Sequence, residues 1–358
     1  MLSFGRRVRQ LKQLKQSKHS KENTFRLHNR RLRLAGLVVG AVLLLASVLL
    51  SVLLGLHRYG IPELWQAYRH FDGSNDHLIL TTTRVPRALV ALATGACLAV
   101  AGAIMQVVTK NPLASPSVLG INSGASLFVV VGLIAFGSSL TLGGMIWIAF
   151  AGAIAAAAFV YAIGARERGG FEPVRLTLAG AAIAAFASSV TSGLMLLHKQ
   201  SLESALFWMI GSVADRKLEH LADVVPYMLA GLALAMLLSG SLNVMALGDD
   251  NAKSLGQRLL LSRAAAAVAV VLLAGSSVAI AGPIAFVGLV VPHLCRALVG
   301  NDHRWLLPYC AITGAILLVA ADLASRFVLM PKEVPVGVAT ALIGVPFLIR
   351  VARRRKHE

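Results

Sequence analysis

Ten apolar stretches, each close to the length that crosses a bilayer, constrain this chain more than any other feature. They cover approximately 35–57, 88–108, 117–137, 142–163, 176–197, 222–246, 262–281, 284–299, 306–328 and 335–351. A hydrocarbon core about 30 Å thick takes roughly 20 apolar residues per helix. Backbone groups in lipid must pair within their own segment, so helices are the expected elements, and no alternating barrel pattern competes. The chain has 358 residues, 57% of them apolar and 14% charged. We therefore expect an all-α polytopic membrane protein of about ten transmembrane helices. Its domain over 35–352 lies between basic segments 1–34 and 353–358.

The net charge of +18 resembles that of a nucleic-acid binder, but its location argues otherwise. Residues 1–34 carry eleven Lys and Arg against Glu22, and Arg353, Arg354, Arg355 and Lys356 crowd the other end. Basic ends flanking apolar helices orient a chain by the positive-inside rule and favour anionic headgroups. Membrane lipids, and no nucleic acid, are the expected partners of this charge. The apolar run 35–57 lacks a small-residue cleavage site and reads as a retained first helix. Counting from a cytoplasmic N-terminus, the basic loops near 110, 166–175, 253–263 and 296–304 all fall inside. Both termini are then expected in the cytoplasm of a multi-pass inner-membrane protein.

No catalytic constellation emerges. A GxxxxGK[ST] phosphate loop is absent, and no Ser/His/Asp arrangement has supporting context. Cys97, Cys295 and Cys310 fall in apolar segments without metal or redox spacing and read as small buried hydrophobes. His293, beside Pro292, reads as a partner for backbone freed by the proline rather than a ligand. No metal site and no cofactor are expected. Ionisable groups at depth, which an ion-coupled transporter needs, are scarce. Such a transporter remains one alternative, and a membrane scaffold another.

Polar residues cluster at helix ends. Arg84-Val-Pro-Arg87 heads the second apolar helix, which ends at Gln106. Lys110-Asn-Pro-Leu-Ala-Ser-Pro116 follows, where Pro112 and Pro116 stop the helix and Asn111 can satisfy freed backbone groups. From the residues alone, Arg84 and Arg87 read as headgroup anchors, and Asp322 and Arg326 as an i,i+4 pair. Leu247-Gly-Asp-Asp-Asn-Ala-Lys-Ser-Leu-Gly256 is a short polar loop with acids where a helical turn begins; Ala252 and Leu255, three apart, read as sharing one face. Small residues, among them Gly95, Gly102, Gly120, Gly124, Gly288 and Gly314, suit tight helix packing. Ala101-Gly-Ala-Ile104 recurs as Ala281-Gly-Pro-Ile284, a faint internal echo of the kind transporters carry.

Several of these segments, in order, resemble the permease subunits of iron-siderophore and cobalamin ABC importers. They include 84–126, Phe207-Trp-Met-Ile-Gly-Ser212, 247–256, Ala281–His293 with Arg296, and Asp322, Arg326, Glu333–Val338 and Ile343–Pro346. The match extends over roughly 35–352. The resemblance implies a permease that pairs with a second permease, identical or paralogous. Two cytoplasmic ATPase subunits would drive it, and an external substrate-binding protein would deliver a ferric siderophore, with cobalamin or haem as alternatives. It implies that Arg84, Arg87 and Arg326 dock acidic residues of the binding protein. It also implies that Gly248, Asp249, Ala252, Leu255 and Gly256 form the ATPase-coupling element. Gln106, Asn111 and Pro112 fall at the cytoplasmic loop, as gate or ATPase contact.

Overall fold

A computed structural model describes residues 27, 29–55, 57–165, 173–198, 202–329 and 333–355. Readings that fall elsewhere, such as the basic tail 1–26 and the Arg166–Arg168 loop, lie outside the described residues. The first helix, α1 (Arg30–Leu53), starts five residues before the apolar run. Two short elements follow, α2 (Ile61–Arg69) and α3 (Asn75–Leu78). A π-turn over Ile79–Arg84 leads into α4 (Val85–Val108). Next come α5 (Ile121–Phe136), α6 (Leu142–Ala165), α7 (Pro173–Leu197) and α8 (Leu202–Ile210). The remainder is α9 (Leu218–Leu237), α10 (Ser239–Ala246), α11 (Asp249–Ser254), α12 (Leu259–Val270), α13 (Ser276–Ala281), α14 (Val287–Val299), α15 (His303–Val328) and α16 (Val336–Arg355).

Seven helical spans are long and apolar enough to cross a membrane, and Ile121–Phe136, Val287–Val299 and Val336–Arg350 are shorter apolar helices. Together they account for the ten expected segments. The differences are local. The stretch 222–246 divides at Leu238 into α9 and α10. The stretch 262–281 carries a π-turn over Val271–Gly275. The expected helix over 284–299 begins only at Val287, because Gly282 takes φ +70° and Phe286 φ +68°, leaving 282–286 unwound. Such backbone is tolerated at membrane depth only where protein or a cavity surrounds it; Phe286 lies against Gly344 of α16.

The bundle is organised around α4: 83% of the most apolar 18 residues in the span Asn75–Val108 are buried inside the protein, against 11% in α1. Helix α4 packs against α15, α14, α1, α9 and α12. Glycine makes the two closest crossings of α4 possible. A Cβ on Gly102 would lie 1.8 Å from the Gly288 carbonyl oxygen, and one on Gly95 would lie 2.3 Å from that of Gly314. Neither site has space for a side chain, so the backbones meet directly. Side chains on α4 are thereby held in register with α14 and α15 at both ends.

Candidate functional site

Each end of α4 carries a carboxylate shared by two cations. At the Val85 end, Arg87 projects from the first turn of α4 and meets Asp322 of α15. Its Nε donates to Oδ1 at 3.0 Å and to Oδ2 at 3.1 Å, and its Nη2 donates to Oδ1 at 2.9 Å. Arg326, one turn beyond Asp322, donates from Nη2 to Oδ2 at 2.5 Å. It also reaches α1, donating to the Ser51 carbonyl at 2.7 Å and the Ser51 hydroxyl at 3.0 Å. Glu333, ahead of α16, accepts from Arg87 Nη1 at 2.5 Å, and its side chain is 41% exposed. Asp322, Arg87 and Arg326 are buried. Four segments are therefore tied at one point by planar guanidinium forks.

Arg84 behaves differently. It is only half-buried and donates to backbone carbonyls of Leu54 and His57. Its guanidinium lies 5.8 Å from the Tyr59 ring centroid. The three arginines expected to face a partner differ in exposure. Arg84 is reachable, whereas Arg87 and Arg326 are turned onto internal carboxylates. The cause is the Asp322–Arg326 pair, which extends beyond one helix to enlist Arg87.

At the Val108 end, the chain leaves α4 through Lys110, in left-handed conformation at φ +51°. Asn111 caps the turn, its Oδ1 accepting from the Leu113 amide at 3.0 Å. The Lys110 ammonium lies 2.9 Å from Oδ1 of Asp249, the first residue of α11. Arg263 of α12, buried, donates to the same oxygen at 2.6 Å. Burial raises the Asp249 pKa, but hydrogen bonds from Lys110 and Arg263, with their charges, outweigh it and hold it below the ordinary carboxylate value. One turn in from this end, Gln106 is buried; it donates to the Leu289 carbonyl at 3.5 Å and accepts from Arg296 of α14.

A cavity of about 480 Å³ opens here, lined among others by Gln106, Lys110, Pro112, Gly248, His293 and Arg296. Gly248, the residue from which α11 starts, lines one side of it. Gly248 enters the helix at φ +102° and Gly256 leaves it at φ +77°, conformations that penalise a Cβ. Ala252 is buried against the bundle, while Leu255 is 65% exposed. Ala252 and Leu255 therefore do not share a face: α11 ends at Ser254 and Leu255 is its C-cap, turned outward. Leu247 is also exposed, so apolar side chains bracket α11 on its open side.

The sequence matches the FecCD transport family over residues 43–354. The chain belongs to that family. Among curated proteins it is 48% identical over 312 residues to the "Probable siderophore transport system permease protein YfiZ" of Bacillus subtilis (strain 168), covering 87% of this chain and 93% of the relative. It is 42% identical to the ferric enterobactin transport system permease protein FepD of Escherichia coli (strain K12), covering 88% and 93%. Against the cobalamin import system permease protein BtuC of Halobacterium salinarum it is 37% identical, covering 84% and 77%. Its fold is similar to a solved inward-facing ABC transporter whose metal-chelate type is a provisional assignment. The TM-score is 0.79 at 28% identity, covering 89% of this chain and 98% of that one.

Among the residues of this FecCD-family chain picked out from sequence, Gln106 and Pro112 line one cavity with Gly248, and Asn111 holds the turn between them. The Arg87–Asp322–Arg326 cluster and Asp249 lie at opposite ends of α4. Arg263 was missed as a site residue, although a lone cation near the head of an apolar helix signals a buried partner. The Asn243–His303 contact was also missed: Asn243 Oδ1 accepts the His303 amide at 2.8 Å and lies 2.7 Å from its Nδ1, and spacing alone carries no trace of it. His293 sits edge-on to Phe347, ring centroids 6.1 Å apart. Among the described residues no group of three His, Cys, Asp or Glu could hold a metal ion.

Proposed function

We propose that this chain is the permease subunit of an ABC importer for a ferric siderophore or related metal chelate. It works with a second permease, identical or paralogous, two cytoplasmic ATPases and an external binding protein. The observation that carries the reading is α11, a six-residue surface helix clamped through Asp249 to α4 and α12 and flanked by exposed Leu247 and Leu255. A partner pushing on α11 moves Lys110 and Arg263 with it, and through Lys110 the end of α4. The reading puts α11 and both termini in the cytoplasm, in keeping with the basic ends. Relatives named for siderophore and enterobactin transport support the substrate class.

On this reading Arg84 is the side chain that meets an acidic residue of the binding protein. Arg87 and Arg326 stand behind it, engaging the same partner only if Glu333 gives way. Gln106, near the end of α4, and Asn111 and Pro112 of the cytoplasmic loop lie where α4 hands motion to α11. Gly248 and Gly256 give α11 its sharp entry and exit, Ala252 seats it, and Leu255 meets the ATPase.

The test is uptake of radiolabelled ferric siderophore by cells lacking the chain, complemented with wild type, Arg84→Glu or Leu255→Asp at equal membrane abundance. Wild type restores uptake and both variants lose most of it. Uptake of cobalamin, but of no ferric chelate, by the wild type would move the substrate to the class named for the Halobacterium relative. Uptake that persists after ATP depletion while the membrane potential holds would replace the ABC reading with ion coupling.

A further inference from the structure

Helix α2 presents an aromatic arc to its surroundings that nothing in the chain covers among the described residues. Ile61, Trp65 and Tyr68 are 65%, 62% and 56% exposed. At about 100° per residue these three share an arc of roughly 60°. The helix thus has three faces. Leu64 and Ala67 pack against Val52, Leu80 and Ala88 at the Val85 end of the bundle. Glu63 and Gln66 are exposed on another face. The aromatic arc lies nearly opposite Glu63 and Gln66, about 160° round the helix, and Arg69 borders it, its guanidinium 4.7 Å from the Trp65 ring centroid.

The neighbouring span identifies the occupant. The chain leaves helix α1 uncovered nearly to its end: only 11% of its most apolar 18 residues are buried, and Leu43, Leu45 and Leu50 are exposed. Helix α2 begins eight residues after Leu53 and is pinned to that same end through Val52. Its arc therefore adjoins the end of an apolar span whose leucines the chain leaves uncovered, the level at which a membrane-spanning helix meets the headgroup layer. Trp and Tyr are the side chains that layer favours, with an apolar ring and a polar tip. Arg69 can lay its stem along Trp65 and keep its charge in water. The Glu63 carboxylate, which accepts from the Gly60 amide, and Pro62 in the first turn fix where the helix starts, so its faces are held in register with the bundle.

We propose that α2 is an interfacial helix, lying in the membrane–water boundary with Ile61, Trp65 and Tyr68 among lipid acyl chains and glycerol groups and with Glu63 and Gln66 in water. It sets the depth of the bundle on the side that carries Arg84. The inference rests on the membrane reading of the fold and not on the substrate or the partners.

The test uses the full chain in phosphatidylcholine–phosphatidylglycerol vesicles, spin-labelled at Trp65→Cys or Gln66→Cys. The native Cys97, Cys295 and Cys310 are buried, which keeps the labels specific. The ratio of oxygen to nickel-chelate collisions should be several-fold higher at 65 than at 66. Equal access of the nickel chelate to both sites would overturn the proposal, as would a label at 65 shielded from both reagents, the signature of a protein partner on the arc. Native Trp65 gives a second measurement free of labelling. Lipids brominated near the headgroup should quench a fluorescence component that Trp65→Phe removes, and identical quenching of both proteins would also overturn the proposal.

Discussion

Asp322 and Asp249 solve the same electrostatic problem in opposite surroundings. Each is one carboxylate between two cations, and they sit at the two ends of α4, some 30 Å apart at the helical rise. The Asp322 side chain is 1% exposed and both its partners are arginines. The Asp249 side chain is 26% exposed, and its partners are buried Arg263 and half-exposed Lys110. Burial makes the first pair of contacts hard to exchange, since any group that leaves strands a charge in low dielectric. Water at the second can replace a departing ammonium, and a lysine is a point charge on a flexible stem rather than a fixed fork. The difference suits the first to hold segments together and the second to let a helix move.

Removing the carboxylate at the buried end gives the largest expected effect. Asp322→Asn leaves Arg87 and Arg326 without their shared counterion and should cost about 3–5 kcal/mol, read as a lower melting temperature in detergent and reduced membrane abundance. A wild-type melting temperature for this variant would dissolve the contrast between the two ends. Asp249→Asn should cost much less stability, about 1 kcal/mol for a partly exposed pair. It should nonetheless cut transport roughly tenfold, the effect of about 1.4 kcal/mol on a barrier, while ATP hydrolysis by the assembled transporter continues. Equal losses of stability and transport would make Asp249 merely structural.

Acid sharpens the same contrast. The Asp249 pKa is lowered in the folded chain, so its contribution is complete above the unfolded value near 4 and is lost as pH falls through the folded value. Hydrogen-exchange protection of the α11 amides, corrected for intrinsic rates, should stay level from about pH 7 to pH 5 and decline only below about pH 4. A decline near pH 6 would point to a histidine instead. The smallest stability change belongs to Arg84→Gln, under about 1 kcal/mol, because its partners are carbonyls that water can serve. Loss of uptake with an unchanged melting temperature would separate Arg84 from Arg87 and assign contact to the first and scaffolding to the second.

Much of the architecture was legible in the order of residues. Hydropathy located ten apolar segments, since burial in lipid or protein needs the same composition. Proline marked the break at 112, and the acids at 249 and 250 marked a helix start. The break expected at 282–283 runs on to 286, and that extension was not legible, because left-handed Phe286 is a residue that composition assigns to a helix. Nor was the outward turn of Leu255, which depends on α11 ending after six residues. The shared burial of Arg87 and Arg326 escaped notice because their common partner is 235 positions from Arg87.

Sequence by itself determined that this chain spans a membrane as helices, that its charge lies at its ends, and that it belongs with metal-chelate and cobalamin permeases. Those properties follow from local composition and short motifs, which each segment carries alone. Only tertiary structure decided which apolar helix the chain leaves uncovered and which forms the core. Helices α1 and α4 have comparable mean hydropathy, 2.7 and 2.2, yet 11% and 83% of their windows are buried. The physical reason is that lipid and protein interior are equally apolar. Glycines at 95 and 102 let α4 approach α15 and α14 until backbone meets backbone, and that packing, not hydropathy, puts α4 at the centre with a charged joint at either end.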